Sequence, residues 1–323
     1  MILDTRTIAL LFVDGLSAGL VLLLAWIAAR ARLGRRPAAE LEDLGSLLAL
    51  SLCALFALRI VAWAGFFLVL DGCVPSLAEN GVMCAFGVVQ LRPELAHFAL
   101  WAKPAAVGAL ISWWAVAAAE RDAEDAQFQR LRFALVLPVA VLVGLEIAGE
   151  ARWIFADKLA EVVTCCRSAL DPLRAGSASK GVLGLSGSAL LAADFAGKLA
   201  LIVACAGVAK KSLAPRLGWT LALCAFGCAI AFLDLATWRE GVAPRALGLE
   251  FHRCAYELVT RSLVLGPVAL LAALGHLALL SLPLLALLHA REPEGTRRTT
   301  TWLAQAAALT FATELVAIAV HIL

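Results

Sequence analysis

The chain has 323 residues, of which 62% are apolar and 16% charged, with 27 Lys and Arg against 25 Asp and Glu. So few charges do not cover a soluble domain of this size, and the near-neutral balance carries no electrostatic footprint for nucleic acid. The sequence holds no Walker loop, Rossmann glycine fingerprint, Gly-x-Ser-x-Gly elbow or His-Glu-x-x-His pair, the usual marks of nucleotide-dependent and hydrolytic enzymes.

A bilayer core about 30 Å thick is crossed by roughly 20 apolar residues in helix. Eight windows meet that length: 7–29, 47–70, 96–119, 133–155, 182–208, 217–238, 262–289 and 302–322. Leu and Ala dominate them, which favours helices over a barrel, and a helix satisfies its own backbone in lipid. The expected fold is an all-α polytopic integral membrane bundle, with residues 1–323 forming one transmembrane domain and the lipid bilayer as its partner.

In chain order, the first window carries Asp14 and a Gly15-x-x-x-Gly19 spacing that suits close helix contact. Its arginines follow the apolar run, so it reads as a retained span and not a cleaved signal peptide. The second window carries Arg59. The connection 71–95 holds Cys73 and Cys84, with Pro75, Asn80, Gly81 and Pro93 as turn signals. Lys103 and Pro104 lie in the third window. The charged stretch 121–132 is helix-friendly and is expected to extend that span. The fourth window carries Pro138, Glu146 and Glu150. Those two glutamates are four apart, so they share a helix face and repel unless a proton, a cation or a basic neighbour intervenes. Arg59 and Lys103 are the expected neighbours.

The connection 156–181 holds Cys165 and Cys166. Asp194 and Lys198 follow in the fifth window at a spacing that lets them pair. Cys224, Cys228 and Asp234 belong to the sixth. The connection 239–261 holds His252 and Cys254, and apolar spacing over 247–263 predicts a short interfacial helix. Cys254-Ala-Tyr-Glu-Leu-Val echoes Cys84-Ala-Phe-Gly-Val-Val. The seventh window contains Pro267 and Pro283. A polar connection, 291–301, leads to the eighth window, which carries Glu314. Asp14, Lys103, Glu150, Asp234 and Glu314 all fall in the same half of their spans, which predicts a polar cavity opening on that side.

The connections after windows one, three, five and seven hold thirteen basic residues in about fifty positions. The opposite side holds ten in about eighty. The denser side is expected to be cytoplasmic, which places both termini outside, in a bacterial inner (plasma) membrane. Five of the nine cysteines then lie in outer loops, on the side where disulfides form.

Cys73, Cys84, Cys165, Cys166, His252 and Cys254 form a candidate metal set, because thiolate and imidazole suit copper, zinc and iron. Four readings follow. The outer set binds a transition metal or metallocofactor such as haem, with the chain acting as a metal-handling accessory or as a subunit beside other membrane or periplasmic redox proteins. Alternatively, Cys165, Cys166 and Cys254 exchange electrons with a quinone; a ring closed between vicinal cysteines is strained and readily reduced. A third reading is a transporter built on Arg59, Lys103, Glu146, Glu150, Asp194 and Lys198. The fourth is an anchoring subunit stapled by ordinary disulfides, for instance Cys73 with Cys84.

Overall fold

A computed structural model of the protein describes residues 4–33, 38–80, 82, 84–120, 126–156, 184–209, 216–248, 255–289 and 293–322. The described residues are helical, without strands. Eight helices are long and apolar enough to cross a bilayer. Their outer surface carries Phe12, Leu22, Leu50, Trp101, Val203, Trp302 and Val320, each well exposed. An apolar coat of that extent is unsuited to water and suited to lipid.

Helix α1 (Thr5–Leu33) starts at Asp4, whose Oδ1 accepts the Thr7 backbone N–H at 2.8 Å and the Thr7 hydroxyl at 2.7 Å. It pairs with α2 (Ala38–Cys73). A 3-10 turn (Pro75–Asn80) and the short α3 (Ala85–Gln90) follow. Helix α4 (Pro93–Glu120) begins on a proline, which has no N–H to leave unbonded in the first turn. Helix α5 (Ala126–Phe155) returns beside it. The segment expected to lengthen the third span belongs partly to α5 instead. Trp113 Nε1 donates to the Arg132 carbonyl at 3.0 Å, and Arg132 lies 3.6 Å from Glu120, so the start of α5 is held back along α4.

Helix α6 (Gly187–Ala209) precedes α7 (Leu217–Thr237). A π-helical turn, Trp238–Val242, and α8 (Ala243–Ala246) continue α7 into one span, Leu217–Ala246. A short helix, α9 (Ala255–Arg261), stands within the predicted interfacial stretch. The seventh span is broken: α10 (Leu265–Leu280) ends at Ser281 and α11 (Leu282–Leu288) resumes, with Pro283 unable to bond back across the break. Helix α12 (Pro293–Ile322) starts well before the window at 302. The expected polar loop is therefore mostly helix. Thr296, Thr299 and Thr300 are buried, Thr296 Oγ1 lies 2.8 Å from His289 Nδ1, and a methyl at Gly295 would collide with the Ala119 carbonyl of α4.

Helices α1, α2, α4 and α5 pack as one group and α6, α7, α10–α11 and α12 as another. Helix α4 joins them by lying against α10, α11 and α12. Gly108 of α4 faces Leu277 of α10, and Ser112 Oγ lies 3.1 Å from Ser281 Oγ. Both pairs have the same chain separation, 169, so α4 and α10 run parallel in fixed register. The Gly15 and Gly19 face makes no such contact: both are exposed, and nothing lies within 4 Å of a methyl built on either. The close approaches fall elsewhere, as at Gly187, where a methyl would strike the Glu240 carbonyl of the π turn.

At the end bearing Asp4, α3 and α9 pack on α2 as a cap. Tyr256 stacks on Phe86, with centroids 6.0 Å apart at 29°, and lies 5.9 Å from Phe67. Phe86 and Tyr256 occupy equivalent positions in the echoed hexapeptides. The likeness therefore corresponds to two short helices meeting through matching aromatic rings.

Candidate functional site

Each of the eight spans places at least one ionisable side chain in one of two buried clusters. In the first, Arg59 of α2 is central. Its Nη2 donates to Asp14 Oδ1 and to Ser17 Oγ of α1, both at 2.7 Å, and its Nη1 reaches Glu146 Oε1 of α5 at 3.3 Å. Glu146 Oε1 also accepts from Lys103 Nζ of α4 at 3.2 Å, and Lys103 makes a second, tighter bond to Glu150. The glutamate spacing therefore works as the sequence suggests, with Arg59 and Lys103 supplying the cations. Phe66 lies 4.9 Å from Lys103 Nζ and closes one side of it.

The second cluster is built on Lys198. Its Nζ contacts Asp194 Oδ2 one turn earlier on α6 at 2.9 Å, Asp234 Oδ1 of α7 at 2.6 Å and Glu314 Oε1 of α12 at 2.6 Å. Glu314 Oε1 also accepts the indole N–H of Trp238 at 2.8 Å. Trp238 lies one turn beyond Asp234 and opens the π turn, a helix distortion frequent at functional sites. On α10, His276 Nε2 stands 3.8 Å from Asp234 Oδ2, and its ring packs on Phe311 with centroids 4.7 Å apart.

Sequence reading passed over His276 and Trp238. The histidine's signal was its position inside an apolar window, the criterion that marked the acidic and basic residues. Trp238 had no comparable signal, because aromatic residues near a span end are ordinary.

The two clusters lie at similar depth. The α4–α10 register puts Lys103 and His276 four residues apart along parallel helices, about 6 Å. Asp14, Lys103, Glu150, Asp234 and Glu314 do not line an open cavity. Each is at most 8% exposed, and each is held by an ion pair. Cations from neighbouring helices fill the space that water would have taken.

The charges in each cluster do not cancel. Among the described residues, the first sets three carboxylates against two cations, and the second sets three against Lys198, beside the imidazole of His276. Asp14 Oδ2, Glu146 Oε2, Glu150 Oε1, Asp194 Oδ1 and Glu314 Oε2 are buried and accept no hydrogen bond from them. An uncompensated buried charge costs several kcal/mol. Protonating an ordinary glutamate at pH 7 costs about 4 kcal/mol. Terms of similar size let such a cluster exchange a proton at little net cost.

The outer thiol set is only partly described. Cys73 ends α2, and Cys84 caps α3; both are buried in the cap. Cys73 is a free thiol, so the expected Cys73–Cys84 staple is not formed. The chain spacing allows that bond, but the Cys73 sulfur serves instead as apolar packing in a cluster with Leu77, Val82 and Val88. Cys165, Cys166, His252 and Cys254 lie outside the described residues. Among the described residues, no group of three or more His, Cys, Asp or Glu side chains is arranged to hold a metal ion. Beyond the span ends the first carboxylate is Asp4. Partial burial opposes its ionisation, but the Thr7 hydroxyl and N–H and the Arg6 charge hold it below the ordinary aspartate range.

Compared with known proteins, the chain matches no family model, no curated protein and no solved structure.

Proposed function

We propose that this protein is a proton-coupled membrane transporter whose two buried clusters carry the protons. The observation that supports this reading is the shared ammonium of Lys198, which serves three carboxylates from three helices with no second Lys or Arg paired to them among the described residues. A proton taken up within the cluster removes the excess charge, and its departure restores it. The broken seventh span and the π turn of the sixth supply helix discontinuities of the kind that transporters use near their sites. In this reading the chain is one domain of a plasma membrane, with the Arg- and Lys-dense connections in the cytoplasm and the cysteine loops outside.

The test is proton movement in liposomes reporting internal pH. The wild type should carry protons down an imposed gradient. Glu314→Gln and Asp194→Asn should each cut that movement by about tenfold or more. Unchanged movement in both variants, or none in the wild type, rejects the reading.

A second reading has one observation in its favour: α3 and α9 meet through Phe86 and Tyr256, and each helix follows a cysteine in the chain. We propose, as the alternative, that the outer thiols bind a soft metal or pass electrons to a quinone. Protein purified under reducing conditions without bound copper, zinc, iron or haem, and with thiols that do not change state on quinone addition, rejects it.

A further inference from the structure

We infer that His276 is the proton-exchanging group of the second cluster, gaining a proton at Nε2 and closing onto Asp234 Oδ2. The inference rests on the proton-carrying reading and assigns it to one side chain.

The side chain of His276 is 10% exposed, yet among the described residues neither ring nitrogen has a hydrogen-bond partner. Buried polar groups rarely remain so. Each other member of the cluster keeps at least one polar contact: Lys198 with three carboxylates, Asp194 through Oδ2, Glu314 through Oε1 with Lys198 and Trp238, and Asp234 through Oδ1. Asp234 Oδ2 lies 3.8 Å from Nε2. A shift of about 1 Å brings the pair to the length of a charge-assisted hydrogen bond. Imidazole is also the side chain whose ordinary range of proton exchange crosses neutrality.

The surroundings support a single acidic partner. Helix α7 presents Asp234. Helix α12 presents Glu314, and Phe311 covers the ring face. Asp194 and Lys198 of α6 complete the cluster behind Asp234. On α4 the nearest titratable group is Lys103, four residues away in register and already held by Glu146 and Glu150. Helix α9 offers Glu257 and Arg261, which pair with each other at 2.6 Å, and α11 has no titratable residue. Protonation of His276 turns Nε2 from acceptor to donor and gives the cluster a second cation. Asp234 is then drawn in two directions, toward Lys198 through Oδ1 and toward His276 through Oδ2. Because Asp234 lies one turn before Trp238, that pull acts on the π turn that holds Glu314.

Nuclear magnetic resonance of histidine-labelled full-length protein in lipid nanodiscs tests this. The chain has five histidines, and His276→Gln identifies the signal. If that variant does not fold, replacing the other four leaves His276 alone. The His276 ring should take up its second proton as the pH is lowered, and Asp234→Asn should make that protonated form harder to populate. A ring that stays in one state at every pH at which the protein remains folded, or one that ignores Asp234→Asn, overturns the inference. Proton movement in liposomes is read separately. Movement without His276 titration rejects this assignment alone, whereas titration without movement rejects the transporter and leaves the proton site.

Discussion

The two clusters solve the same problem with different stiffness. In the first, Arg59 presents its planar fork to Asp14, Ser17 and Glu146, and Lys103 closes onto Glu146 and Glu150. Four helices are tied by two cations, and Glu146 Oε1 is shared between them. In the second, one flexible ammonium holds three carboxylates from three helices, and the fourth helix contributes an imidazole that makes no bond. An arginine fork fixes geometry, while a lysine head is a point charge on a flexible stem. The first cluster is therefore suited to framing the bundle and the second to changing state, although both bury the same number of carboxylates.

Removing a cation separates them most. Lys198→Met leaves three buried carboxylates without a permanent counter-charge, and a broken buried pair costs about 3–5 kcal/mol. Thermal unfolding in detergent should show loss of most folded protein. Lys103→Met should cost less, because Arg59 still holds Glu146 and Asp14. Equal losses would show that the second cluster does not depend on its ammonium more than the first depends on Lys103.

Removing a negative charge sharpens the contrast. Glu150→Gln gives the first cluster two carboxylates for two cations while keeping its shape. It should leave stability unchanged within about 1 kcal/mol. Trp238→Phe keeps an aromatic ring but takes the N–H from Glu314, and a hydrogen bond to a charged group is worth about 1.5–3 kcal/mol. The expected result is a lower unfolding temperature and impaired proton movement. An unchanged temperature would show that the π turn does not depend on that bond.

The spans were legible because apolar runs of bilayer length leave a chain few alternatives. Asp194 with Lys198, and Glu146 with Glu150, were legible because spacing along one helix fixes a shared face. Arg59 and Lys103 followed from charge alone, as the cations those glutamates require. The rest depended on which helices become neighbours. Asp234 and Glu314 reach Lys198 only through the packing of α7 and α12 on α6, and composition carries no record of that. His276 was hidden by its apolar neighbours. The Gly15-x-x-x-Gly19 spacing promised a contact that packing did not use, since the outward face of α1 meets no other helix. The cavity failed for a simpler reason: counting charges along each span does not reveal that opposite charges on neighbouring helices will occupy the same space.

Asp4 provides the smallest effect and a control for the others. Its carboxylate sits at the helix end, where one hydroxyl and one backbone N–H satisfy it and the Arg6 charge adds to them. Because its proton affinity is lowered in the folded chain, its stabilising contribution is present above the ordinary aspartate range. That contribution is lost as pH falls through the depressed folded value. Asp4→Ala should therefore speed hydrogen exchange at the first amides of α1 at neutral pH, consistent with a cap worth about 1 kcal/mol. The difference from wild type should vanish in acid. The same substitution should leave the His276 resonance unchanged, because the cap and the second cluster belong to separate helix groups. A change in that resonance would mean that the two groups exchange charge information through the packing of α4, and that the first is more than a frame.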